Sequence, residues 1–72
     1  MHINKEQIGE NAGIVWQLLH NNKYSWEELA MATELSPLEL ASAIGWLARE
    51  DKIRFSLEQD IMYLEAYHEC YY

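Results

Sequence analysis

Apolar residues recur at helical spacing through the first two thirds of the chain and then switch to every second position. Between residues 4 and 22, Ile8, Ala12, Val15 and Leu19 fall on one narrow stripe at 100° per residue, with Trp16 on one shoulder and Leu18 on the other. Asn4 followed by Gln7 has the spacing of an N-cap and its capping-box partner, so the pattern predicts a helix from there to about Asn21 or Asn22. Gly9 and Gly13 lie one turn apart on the flank beside Trp16, and each costs about 1 kcal/mol relative to alanine in a helix interior. Two readings fit them: close packing of another helix of the same domain, or an intermolecular Gly-x-x-x-Gly contact. The polar neighbours Glu10, Asn11 and Gln17 exclude the membrane version of that contact.

Asn21, Asn22 and Lys23 make a turn, and Tyr24 can add a very short strand. Ser25 with Glu28 three residues on forms a capping box for a two-turn helix that turns Leu29 and Ala30 or Thr33 inward. After Glu34 and Leu35, the run Ser36-Pro37-Leu38-Glu39 places a cap, an N1 proline and an N3 glutamate together. The helix it opens should reach about Glu50 and bury Leu40, Ile44 and Leu47, with Ala43 and Ala48 beside them. Past Asp51, Ile53, Phe55 and Leu57 alternate with Lys52, Arg54 and Ser56, as in a half-buried strand. Glu58, Gln59 and Asp60 form a polar turn and Ile61 to Glu65 the return strand, with the turn length open by a residue or two because no glycine marks it.

Seventy-two residues make one domain, whose core must be dense or shared with a second copy. Half the residues are apolar, including three tryptophans, which is globular rather than disordered composition. No apolar run approaches the roughly 18 residues of a membrane span. The first seven residues are polar and lack a secretory h-region, and the lone Cys70 has no internal disulfide partner, so a reducing cytoplasm is the expected location. Charge changes the picture more. Twelve acidic residues against five basic give −7, an average surface that repels phosphate and anionic lipid. Arg49, Lys52 and Arg54 supply three of those five cations within six positions.

A short capped helix, a second helix opened by Ser-Pro and ending in leucine, arginine and an acid, and then a β-ribbon form the winged helix-turn-helix pattern. The expected fold is therefore mainly α with a small β-hairpin: three helices plus a two- or three-stranded wing sheet over residues 1–65, followed by an aromatic tail over 66–72. More closely, the strings Ile8-Gly9-Glu10-x-Ala12-Gly13-x-Val15-Trp16 and Ala43-x-Gly45-Trp46-Leu47-Ala48-Arg49-Glu50-Asp51-Lys52-Ile53 resemble a family of small, uncharacterised bacterial winged-helix proteins. The resemblance implies a stand-alone winged-helix domain, dimeric, with no biochemical activity attached to it.

Burial of Leu40, Ile44 and Leu47 would expose Leu38, Ser42, Gly45 and Arg49, with Ala41 and Trp46 on the edges. Groups that read base edges or hold phosphates are mainly Arg, Lys, Asn and Gln. Ser42 and Arg49 on the helix, with Lys52 and Arg54 at the wing, are the candidate DNA contacts. A DNA-bound protein makes about six to ten phosphate contacts. A dimer reaches the lower bound only by engaging Arg49, Lys52 and Arg54 twice, against twice the −7 charge of one chain. Nucleic acid is therefore possible but disfavoured by charge.

The competing reading makes Leu38, Ala41, Gly45 and Trp46 an apolar, small-residue protein interface, since tryptophan is enriched at binding hot spots and glycine permits close approach. Ile14 and Leu18 on the first helix, or the tyrosine-rich tail, could extend it. The plain structural alternative folds Trp46 onto its own wing or first helix. A homodimer is the expected partnership, with any other protein partner unknown and no membrane. No enzyme emerges: Ser25 and Ser36 are caps, Glu50 and Asp51 point differently around a helix end, and no glycine-rich phosphate loop exists. His2, His20 and His68 are scattered, His68 with Cys70 is one pair and not a metal site, and His20 is expected to bond the last carbonyls of its helix. No metal or cofactor is expected.

Overall fold

The computed structural model describes residues 4–67. Helix α1 runs Lys5–Leu19. Asn4 caps it by accepting from the Gln7 backbone at 2.8 Å, but the expected reciprocal half of the capping box is not made. The Gln7 amide instead donates to Asn11 Oδ1 at 3.2 Å, one turn along the same helix. The helix also ends two or three residues earlier than expected. His20 closes it, with Nδ1 donating to the Trp16 carbonyl at 2.9 Å and its ring edge-on to the indole.

Strand β1, Tyr24–Ser25, leads directly into α2, Trp26–Thr33. The Ser25 capping box is complete: Glu28 N–H donates to Ser25 Oγ at 3.2 Å, and Ser25 N–H to Glu28 Oε1 at 2.8 Å. Glu34, left-handed at φ 58°, ends α2. Helix α3, Pro37–Arg49, opens on the second complete box, between Ser36 and Glu39, with proline where a backbone donor would have no partner. Asp51, also left-handed at φ 57°, turns the chain into the sheet.

Strands β2, Ile53–Glu58, and β3, Ile61–Ala66, pair antiparallel, and β1 adds to the far side of β3, giving the order β1-β3-β2. The pairs Phe55↔Leu64 and Tyr24↔Leu64 put Leu64 at the centre of the sheet. Glu58 faces Ile61 across a two-residue loop in which Gln59 and Asp60 both have positive φ, 52° and 66°. This is the type I′ geometry that matches strand twist, reached without glycine. Ala66 belongs to β3, and Tyr67 N–H bonds the Lys52 carbonyl at 2.8 Å. The rest of the aromatic tail lies outside the described residues.

The core joins Ala12, Val15 and Leu19 of α1, Leu29 of α2, Leu40, Ala43, Ile44 and Leu47 of α3, Ile53 of β2 and Leu64 of β3. Three expected core positions differ. Ile8 is only half-buried at the N-terminal end of its stripe, and Phe55 and Leu57 are 50% and 66% exposed. Alternation in β2 does put both on the same side as Ile53. However, β2 is an edge strand of the sheet, and the central residue Leu64 fills the space under the helices, leaving Phe55 and Leu57 out along the wing.

Candidate interaction surface on the third helix

The stripe that buries Leu40, Ala43, Ile44 and Leu47 fixes the rotation of α3 and thereby its outer face. Leu38, 61% exposed, Ala41 and Gly45 follow one another along that face at spacings of three and four residues. A Cβ built on Gly45 would meet nothing within 4 Å. Ser42 is half-buried at the side. Trp46 leans toward α1 and packs on Gly9, where an added Cβ would lie 3.6 Å from the indole. Gly9 thus serves a contact between helices of one domain, while Gly13 faces open space. On α1, Ile14 is half-exposed and Leu18 packs partly against the core. The structure therefore gathers Leu38, Ala41 and Gly45 on one open surface, sets Trp46 between that surface and α1, and leaves Ile14 and Leu18 on a different helix.

The basic residues divide in a way composition did not reveal. Arg54 Nε donates to Glu65 Oε1 at 2.9 Å across the hairpin, and its guanidinium lies 5.8 Å from the Tyr67 ring centre. Lys52 lies 3.6 Å from Glu50 and 5.9 Å from the Trp16 ring centre. Lys23 pairs with Glu58 and sits over Tyr63; the Glu58 hydrogen bond first, and the nearby charges of Glu58 and Glu65 with it, outweigh the opposing effect of desolvation and raise its ammonium above the ordinary value. Arg49, exposed at the last position of α3, has no ion-pair partner among the described residues. Two of the three cations expected at the helix-wing junction are thus already committed to carboxylates. Glu39 serves as the expected N3 cap: the Ser36 N–H first, and the Ser36 hydroxyl second, hold its carboxyl below the ordinary range.

Beside this surface, α1 and α3 enclose an open groove of about 730 Å³ lined by Lys5, Ile8, Ser42, Gly45, Trp46, Arg49 and Glu50. Lys5 and Ile8 did not emerge as site residues from the sequence. A usable signal existed for Lys5: a cation at the first position of a helix opposes the helix dipole, so its place there is not explained by helix stability. Among the described residues no three His, Cys, Asp or Glu side chains are grouped to hold a metal ion, and His68 and Cys70 lie outside them. No helix among those residues is long and apolar enough to cross a membrane.

Three helices, with α2 and α3 joined by a short turn and followed by a hairpin that recruits β1, define a winged helix-turn-helix. The chain belongs to the winged helix-turn-helix domain family DUF2582, whose family model matches residues 1–66. It is also similar to the solution NMR structure of protein BT2368 from Bacteroides thetaiotaomicron, at 35% identity and a TM-score of 0.77 over 89% of this chain and 79% of that one. No curated protein matches it. The family resemblance carried by the Gly9, Gly13 and Gly45-Trp46 strings is thereby confirmed, as is the winged-helix fold. Such a domain is a DNA- or protein-binding module, typically non-catalytic.

Proposed function

We propose that the chain is a non-enzymatic, cytoplasmic interaction module with a regulatory role that self-associates through the outer face of α3. One observation carries the reading: Leu38, Ala41 and Gly45 occupy the face where a DNA-reading helix would carry amides and guanidinium groups. The small side chains at 41 and 45 allow a second α3 to approach closely, and two-fold symmetry would set Leu38 of each copy against the small residues of the other. A domain this short, with eight large apolar side chains exposed among the described residues, also gains most from a shared core. Sedimentation equilibrium tests it. The expected mass is twice the 8.5 kDa of one chain, falling to the monomer for Leu38→Glu. Leu38 is the better target than Trp46, whose replacement would also disturb packing on Gly9. A monomeric parent chain at high micromolar concentration would sink the proposal.

DNA binding stands second, supported by the fold and by the exposed Arg49, without an ion-pair partner among the described residues, beside Ser42 on α3. Three of the five cations sit in exposed ion pairs whose carboxylates a phosphate would have to displace, and the two without an ion-pair partner among the described residues give a dimer four, below the roughly six phosphate contacts of ordinary DNA binding. This reading requires salt-sensitive binding to duplex DNA that weakens on Arg49→Ala; absence of binding at low salt removes it.

A further inference from the structure

We infer that the groove between α1 and α3 is a docking site for a peptide segment carrying carboxylates beside an apolar side chain. The inference rests on the reading of the chain as a protein-interaction module and names the chemistry of a partner. Only five Lys and Arg side chains exist in this acidic chain, and Lys23, Lys52 and Arg54 are paired with Glu58, Glu50 and Glu65. The two without an ion-pair partner among the described residues, Lys5 and Arg49, line the same groove from two different helices.

Their setting narrows the ligand. Lys5 is the first residue of α1, so its charge adds to the positive end of that helix rather than offsetting it. Ile8 and the half-buried Trp46 give the groove an apolar wall, Gly45 leaves it open to a neighbouring backbone, and Ser42 adds a hydroxyl. Glu50 also lines the groove, its carboxylate drawn to Lys52. Two cations against one carboxylate, in a chain of charge −7, suit a segment with one or two acids more than the continuous charge of a nucleic acid.

The test is an amide and indole NMR titration of the full chain with a capped pentapeptide, Glu-Phe-Gln-Leu-Glu, and with its glutamine counterpart, Gln-Phe-Gln-Leu-Gln. The glutamate peptide should move the Gly45 amide, the Trp46 indole N–H and the Ile8 amide. Lys5→Gln and Arg49→Gln, both at exposed positions, should each weaken it about two- to fivefold while leaving the remaining spectrum in place. Equal binding of the glutamine peptide, shifts centred elsewhere, or indifference to both substitutions would overturn the inference. So would duplex DNA moving these resonances when the acidic peptide does not. Sedimentation of the parent chain in the same buffer separates the two proposals: a monomeric parent that binds peptide leaves the groove standing without self-association, and a dimeric parent that ignores peptide does the reverse.

Discussion

Gly13→Ala should stabilise the protein. Gly13 lies in the interior of α1 with a negative φ, and a Cβ built there would meet nothing within 4 Å. The substitution therefore adds helix propensity without a clash, about 0.8–1 kcal/mol. For a domain of this size, that corresponds to a rise of about 4–8 °C in Tm. Urea unfolding followed by circular dichroism at fixed protein concentration should show a higher midpoint with an unchanged slope. Gly45→Ala offers the same open space in α3, but its methyl would stand on the proposed dimer face. That variant should gain stability as a dilute monomer and lose association. A neutral or destabilising Gly13→Ala would refute the reasoning, because it would mean that something outside this chain packs against that turn of α1.

Three further outcomes follow from the core and caps. Leu64→Ala empties the centre of the sheet at a residue 1% exposed and should cost about 2–5 kcal/mol, enough to abolish a cooperative melt in so small a domain. Asn11 is buried with its Nδ2 lacking a partner among the described residues, while its Oδ1 accepts from Gln7; Asn11→Leu should therefore raise the urea midpoint by about 1 kcal/mol of stability. Ser36→Ala removes the cap of α3 and should cost about 1 kcal/mol by the same assay. Glu39 adds a pH dependence. Its folded carboxyl titrates below the ordinary 4.5, so its contribution is present above that value and is lost as pH falls through the lower folded value. Glu39→Gln should flatten that part of the acid unfolding profile.

What could be read from the sequence was whatever local chemistry decides. Ser25 with Glu28, and Ser36 with Pro37 and Glu39, each place a donor and an acceptor within one turn, so the starts of α2 and α3 follow without tertiary information. The period-3.6 stripe of α3 likewise identified its buried side. Residues whose fate depends on distant partners were less legible. Alternation placed Phe55 and Leu57 on the correct side of β2, but only the sheet order shows that this strand lies at an edge. Arg54 and Lys52 looked like free cations until the hairpin register brought Glu65 opposite Arg54 and the end of α3 brought Glu50 to Lys52. Lys5 joined Arg49 only because α1 packs on α3, a contact separated by some forty residues of chain.

The left-handed joints have a consequence for how this surface meets a partner. Glu34 between α2 and α3, Asp51 between α3 and β2, and Gln59 with Asp60 between β2 and β3 all hold positive φ, while the three glycines sit inside helices. An L side chain disfavours that basin by about 1–2 kcal/mol relative to the right-handed one, a cost glycine would escape. Each joint is therefore held by the elements on either side of it and not by its own backbone preference. The angle between α3 and the wing is then a property of core packing and hairpin register, so a partner could change it only by disturbing the core.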